Sequence, residues 1–398
     1  MLTKKKIFLY LFTFLCLVVQ AQTFESEHAR VSLLTTTPCD NAVYTLYGHT
    51  SIRIRDSIAP DKTIDYVFNY GQFDASQPHF EYHFAKGDLD YSLAYYAYDR
   101  FANDRELPTA MVYEQILNLT SQEMRDLWNA LIINYQPENR LYRYNYFFDN
   151  CATRPANLIE QIINGTVIYE ENHTQATFRD IINDLTKDSP WLTFGCDLVL
   201  GLPTDRIVTF RESFFVPEFL QKAFSSAQII DPDGTKRPLV KSETVLIEKV
   251  YEGKTSQTFF TPLVCCLTLF ILISYITWFE WRRKKYFRMV DCVLFLIAGM
   301  AGCIIFFLCF LSDQPSIRPN LSIVWLHPFH LVGVVLFAIK KWNKAAYFYH
   351  FINFVAILLM SVAWIFIPQH MNNAFIPLIA ILLLRSGYGL VREKVNIR

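Results

Sequence analysis

The sequence predicts an α+β domain displayed outside a membrane and followed by a five-helix transmembrane bundle. Two observations carry this reading. From residue 258 the composition changes to five apolar stretches, near 258–279, 288–311, 321–339, 345–367 and 371–389. Each approaches the ~20 residues that cross a ~30 Å hydrocarbon core. Ahead of them, residues 22–257 mix strand-like alternation with helical periodicity in no fixed order, which suits α+β packing. The chain has 398 residues, balances 37 Lys and Arg against 37 Asp and Glu, and is 52% hydrophobic. Such a composition excludes a disordered protein, and it lacks the basic footprint that nucleic acid requires.

The first 21 residues read as a secretory signal. Lys4, Lys5 and Lys6 form a basic start, an apolar run follows from Ile7 to Val19, and Val19-Gln20-Ala21 is a small-residue cleavage pattern. The run is short for a span, which favours removal over retention as an anchor. Basic residues between the later stretches set the orientation. Arg282, Arg283, Lys284 and Lys285 follow the first, Lys340, Lys341 and Lys344 the third, and Arg385, Arg392, Lys394 and Arg398 close the fifth. The segments after the second and fourth hold only Arg318 among Lys and Arg. The positive-inside rule then puts residues 22–257 outside, as a signal would, and the C-terminus of the 258–398 membrane domain in the cytoplasm.

Within the exported domain, Tyr44 to Arg55 and Ile64 to Tyr70 are strand-like and flank a turn-rich segment at 57–62. Thr120-Ser121-Gln122-Glu123 is a capping box opening a helix with Met124, Leu127, Trp128 and Leu131 on one face. Tyr142 to Phe148 alternates around large aromatics as a strand or extended lead-in, and Asp149-Asn150-Cys151 starts a helix carrying Leu158, Ile159, Ile162 and Ile163. Asp231-Pro232-Asp233-Gly234 is a turn, and Val245 to Val250 a last strand before the membrane. Cys39, Cys151 and Cys196 are too few for a disulfide scaffold. Cys39 and Cys196 read as a bonded pair or, slightly preferred, as two buried thiols. His79 and His83 lie four apart without an HExxH pattern or a third ligand, so no metal or other cofactor is expected.

A hairpin register brings the chemistry-bearing residues together. With the turn centred near Ala59, Arg53 faces Asp65, Ile52 faces Tyr66, Ile54 faces Ile64 and His49 faces Asn69. A slip of two residues would keep the faces but lose the His–Asn pair. Cys151 follows two good N-caps, Asp149 and Asn150, and so lies at a helix N-terminus, where the dipole and free N–H groups lower a thiol's pKa. Pro155 fits only a first turn, which implies a distorted start if Asn150 is the cap. A nucleophile on a helix start, a His on a strand and an Asn on its neighbour follow the logic of papain, with the Cys151 N–H as one oxyanion donor. Each residue by itself also has a plainer reading, as a packed Cys or a hydrogen-bonded structural His.

In the third apolar stretch, His327 and His330 would lie roughly 9 and 13 Å below Leu321 on a helix. Asp313, Arg318 and Asn320 crowd the outer loop above them. Ionisable residues at that depth are functional candidates, the alternative being a hydrogen-bonded helix interface. A site there would open towards the exported domain, and a joint active site is expected.

The stretches YGHTSIRI (47–54), VFNYG (67–71) and FFDNCATRPANLI (147–159) resemble a permuted papain-like domain in which His precedes Cys. That superfamily holds permuted relatives of the NlpC/P60 cell-wall peptidases and the lecithin:retinol acyltransferase group, whose Asn-Cys motif matches Asn150-Cys151. Further pieces, LLTTTPCDNAVYTLYGHT (33–50), WLTFGCDLVLGLPTD (191–205), PSIRPNLSIVWLHPFHL (315–331) and NNAFIPLIAILLLRS (372–386), make the chain similar to the Bacteroidota lipoprotein N-acyltransferase family called Lnb. Gln314 departs from that pattern where His is frequent, and Cys39 where Gly is.

The resemblance implies a periplasmic thiol acyltransferase domain, residues 22–257, on a multi-pass protein of the inner membrane. It implies transfer of an acyl chain from a phospholipid donor to the α-amine of a diacylglyceryl lipoprotein acceptor, through a ping-pong thioester. Cys151 is the implied nucleophile and His49 the base, while Asn69 as third residue comes from the hairpin register. Asn150, Arg318, Asn320, His327 and His330 are the candidates for substrate binding. The alternative is a membrane-anchored NlpC/P60-type cysteine peptidase or amidase acting on peptidoglycan, which would need only one anchor helix. A third class, a non-catalytic sensor or assembly factor, would tolerate loss of Cys151.

Overall fold

A computed structural model describes residues 28–39, 42–59, 62–103, 109–171, 174–250 and 259–394. The signal segment at 1–21 and the junction at 257–258 lie outside the described residues. The exported domain is built on strands β1 (Arg30–Thr36), β2 (His49–Ala59), β3 (Lys62–Gln72), β4 (Asp90–Ala97), β5 (Val112–Leu117), β6 (Leu141–Arg143) and β10 (Val240–Ile247). They form one antiparallel sheet in the order β10-β5-β1-β2-β3-β4-β6. A small second sheet joins β7 (Thr166–Ile168), β8 (Gln228–Ile230) and β9 (Lys236–Pro238). The turn at Asp231–Gly234 links β8 to β9 as expected, with the Gly234 N–H donating to Asp231 O at 2.8 Å.

Helices α1 (Phe80–Lys86), α2 (Tyr98–Ala102), α3 (Ser121–Tyr135), α4 (Thr153–Ile162), α5 (Phe178–Thr186), α6 (Pro190–Val199) and α7 (Pro217–Ser226) complete the domain. The capping box opens α3 as its sequence demands: Glu123 N–H donates to Thr120 Oγ1 at 3.2 Å, and Thr120 N–H to Glu123 Oε2 at 2.7 Å. The apolar face of α3, Leu127, Trp128 and Leu131, packs with Ala156 and Ile159 of α4 against Ile52, Ile54 and Phe68 of the sheet. Burial of each such large side chain contributes on the order of 1.5–3 kcal/mol, which fixes α4 and its leading turn on the sheet.

Two expectations need correcting here. The strand expected from Tyr44 starts only at His49, because Val43–Tyr47 is a 3₁₀ turn. Gly48 ends that turn at φ +73°, and a Cβ there would lie 2.7 Å from Thr36 O. The hairpin pairs Ile52 with Phe68, Ile54 with Tyr66 and Arg55 with Asp65, two residues away from the expected register. An irregularity between Ser57 and Ala59 lengthens one arm and moves the turn past Ala59. Beyond the hairpin, the aromatic run at Tyr142–Phe148 is strand only to Arg143 and then closes a turn in which Asn145 and Asp149 exchange backbone hydrogen bonds.

Four helices among the described residues are long and apolar enough to cross a membrane: α8 (Pro262–Arg283), α9 (Arg288–Phe310), α11 (Asn343–Ala363, prolonged by 3₁₀ turns) and α12 (Phe375–Lys394). The third apolar stretch is not one helix. It comprises a 3₁₀ turn at Leu321–Val324, an irregular segment around Pro328, and the short helix α10 (His330–Ala338). Pro328 has no N–H to continue a helix. The segment still runs antiparallel to α9 along its length. Cys309 Sγ lies 4.0 Å from Asn320 O, Cys292 Sγ 3.8 Å from Val334 O, and Arg288 donates to Phe337 O at 2.8 Å. Midway, Gly302 lets the irregular backbone approach, since a Cβ there would lie 2.5 Å from His327 C. Irregular backbone at such depth is tolerated where protein covers it.

The loop after α9 fastens the two halves. Asp313 N–H donates to Lys86 O at 2.7 Å and Ser312 Oγ to Ala85 O at 2.8 Å, capping the end of α1. Asn320 Nδ2 donates to Leu198 O and Val199 O at 2.9 and 3.0 Å, capping α6. These are helix-end carbonyls that otherwise lack partners, so the exported domain is seated by its own unsatisfied acceptors.

Candidate active site

The site forms where β2, β3 and the turn before α4 meet. His49 is the first residue of β2, turned into place by the left-handed Gly48. Its Nε2 lies 3.1 Å from Asn69 Oδ1, although the two residues are diagonal and not opposite. Diagonal neighbours remain within reach of longer side chains, so the two-residue slip does not cost the pair. Ser51 Oγ donates to the same Asn69 oxygen at 2.6 Å, and Asn69 is buried. A carboxamide oxygen only accepts, so His49 Nε2 carries the proton. That leaves Nδ1 to face the Cys151 thiol, with which the His49 side chain hydrogen-bonds.

Cys151 sits in a turn just ahead of α4 and is buried. Asn150 holds that turn. Its Oδ1 accepts from the N–H groups of Ala152 and Thr153 at 2.9 Å each, and its Nδ2 donates to Tyr146 O and Phe215 O at 2.9 and 2.8 Å. The carboxamide expected to bind substrate is thus fully used by backbone, and Asn150 positions the cysteine. Because α4 begins at Thr153, Pro155 falls in its first turn, where its missing N–H does no harm.

Burial by itself would raise the Cys151 thiol. His49 beside it, the Thr50 backbone N–H and the Tyr144 hydroxyl outweigh that and bring it below the ordinary value of 9.0. Cys196 shows the contrast: burial pushes its thiol up, and its sulfur lies 4.0 Å from the Tyr47 hydroxyl. Cys39, Cys151 and Cys196 are all free thiols. Gly71 closes the floor of the site at φ +87°, where a Cβ would meet the Tyr144 ring at 3.2 Å and Cys151 Cβ at 3.5 Å.

Tyr144 also forms part of a cleft of about 610 Å³ between the two halves of the protein. Lys86, Arg143 and Phe148 line it from the exported domain, Asp313 and Gln314 from the loop after α9. The remaining candidates lie elsewhere. Arg318 is exposed on that loop and does not line the cleft. Asn320 is buried and saturated, donating to Leu198 and Val199 and accepting from Ser322 N–H and Gln369 Nε2. His327 and His330 stack at 3.9 Å inside the bundle. His330 Nδ1 is 2.7 Å from the Tyr349 hydroxyl and its Nε2 3.0 Å from Trp325 O. They meet bundle residues and do not line that cleft; the break at Pro328 seats them against α9 and α11.

Sequence reasoning missed Ser51, Gly71 and Tyr144. The first two lie within the quoted motifs SIRI and VFNYG, where their signal was present. Tyr144 is one aromatic among many, and only tertiary structure selects it. Among the described residues no group of three His, Cys, Asp or Glu could hold a metal ion.

Two family models match the chain: the Lnb N-terminal periplasmic domain over residues 19–184 and the Lnb transmembrane domain over residues 254–395. No curated protein and no solved structure matches it. The two matches fall on the two halves of the architecture, a periplasmic N-terminal domain and a transmembrane C-terminal one.

Proposed function

The chain belongs to the Lnb family, whose domains imply a membrane enzyme of lipoprotein processing, and we propose that it is a lipoprotein N-acyltransferase working through Cys151. The observation that carries the proposal is a buried thiol, lowered by an oriented His49, beside a cleft whose far wall belongs to the membrane domain. In this reading the periplasmic domain is a permuted papain-like fold at the outer face of the inner membrane. The broken segment at 321–338 completes a fifth crossing, and the C-terminus is cytoplasmic.

The Cys151 thiolate attacks an ester carbonyl of a glycerophospholipid, and the Cys151 N–H steadies the oxyanion. The tetrahedral adduct collapses by breaking the C–O bond. The departing lysophospholipid oxygen takes the proton held on His49 Nδ1, and a thioester remains. The α-amine of the diacylglyceryl cysteine, in its neutral form, then attacks the thioester. His49 Nδ1 receives the amine's proton as the C–S bond breaks, which regenerates the thiolate–imidazolium pair. Asn69 and Ser51 keep the imidazole in the tautomer that both half-reactions need. Holding two lipid substrates at one thiol converts a rare encounter into a nearly unimolecular step.

A chase tests the second half-reaction. Acyl-loaded protein mixed with a synthetic diacylglyceryl-cysteinyl peptide should yield peptide heavier by one acyl group on its amine. Free fatty acid with unchanged peptide would instead indicate a hydrolase, and cleaved peptidoglycan fragments a peptidase.

A further inference from the structure

The mechanism leaves a set of exposed aromatic side chains near the site unused. Helix α1 exposes Tyr82 (51%) and Phe84 (57%), and Tyr44 (54%) and Phe73 (37%) are exposed beside it. The position of α1 relative to the bundle gives these rings a meaning. Tyr82 packs on Phe307 near the outer end of α9 at 5.6 Å, and the end of α1 is capped by Ser312 and Asp313, directly after α9. Helix α1 therefore lies against the outer end of α9, at the level where aromatic side chains meet the bilayer interface, with Tyr82 turned to α9 and Phe80 and Phe84 on its other side.

From the side of α1 that carries Phe80 and Phe84, a row of rings leads inward. Phe84 stacks on Phe80 at 6.2 Å, Phe80 on Phe73 at 5.6 Å, Phe73 meets Tyr91 at 5.5 Å, and Tyr91 stacks on Tyr144 at 4.3 Å. Tyr144 hydrogen-bonds Cys151, and Tyr44 flanks Phe73 at 5.8 Å. We propose that this aromatic lane is the path along which an acyl chain of the donor phospholipid leaves the bilayer beside α9 and reaches Cys151. A hydrocarbon chain suits it because each exposed ring gains by being covered, while water gains nothing there. The final step to the thiol rests on the acyltransferase reading; occupancy of the lane by lipid does not.

The test uses the full-length Cys151→Ala protein in nanodiscs containing phosphatidylethanolamine with a photoactivatable diazirine on one acyl chain. Illumination should label Tyr144 or its immediate neighbours in addition to the outer surface of α8. Adding Phe73→Ser and Phe84→Ser should lower the label near Tyr144 about tenfold, for two lost apolar contacts, and leave the label on α8 unchanged. No label near Tyr144, or equal label in the double substitution, overturns the lane. Alkylation of Cys151 by iodoacetamide in a Phe73→Ser/Phe84→Ser protein that retains the cysteine should match wild type, which separates loss of the lane from loss of fold. Acylation of the wild-type protein is read separately, so failure of the reaction and failure of the lane are distinguishable.

Discussion

His49 lies beside Cys151 and lowers its thiol, and the sign of that effect can be measured. The folded thiol lies below its ordinary 9.0, so the thiolate fraction near pH 7 exceeds that of a free cysteine. Alkylation should then rise with pH and level off at the lowered value. In His49→Ala the plateau should move to higher pH, with the rate near pH 7 down by about tenfold or more; an unchanged iodoacetamide profile would remove His49 from this role. Asn69→Ala should give a smaller shift in the same direction, since Asn69 acts through the imidazole. Gly71→Ala should cost roughly 1–3 kcal/mol in denaturant unfolding, from a left-handed backbone and a Cβ crowding Tyr144 and Cys151. The positions of Cys151 ahead of a helix and of His49 on a strand were legible in the sequence because both are local information. The Asn69 contact was legible for a partly wrong reason: the register was off by two, and a diagonal hydrogen bond preserved the pair.

Helix starts announce themselves in sequence, whereas interrupted spans do not. The Thr120–Glu123 box and the Asn150 cap each follow from side-chain oxygens three or fewer residues from the N–H groups they satisfy. Asn150→Ala would leave the Tyr146 and Phe215 carbonyls without their donor and the α4 turn without its cap. A loss of about 1–3 kcal/mol in thermal unfolding is expected, together with slower alkylation of Cys151 as its turn loosens. By contrast, apolar length at 321–339 suggested a helix that Pro328 and the close approach at Gly302 do not allow. Hydropathy counts residues; it does not register a missing N–H. The depths expected for His327 and His330 assumed that helix, and a depth counted along a helix has no meaning across a break.

Across the whole molecule, the basic clusters share one side only if the broken segment crosses the membrane. Cysteines introduced for Lys284 and Lys341 should both resist an impermeant maleimide applied from outside to intact spheroplasts, while one introduced for Asp233 reacts. Labelling at Lys341→Cys from outside would leave only four crossings. How the loop after α9 seats the exported domain was not legible, because it depends on backbone carbonyls of α1 and α6 that carry no sequence signature. Whether Cys151 carries the acyl group is read from the intact mass of the detergent-purified protein after mixing with phospholipid. One hydroxylamine-labile acyl adduct is expected on wild type and none on Cys151→Ala. An adduct that survives in Cys151→Ala, or wild-type protein that stays unmodified with every phospholipid offered, would contradict Cys151 as the carrier.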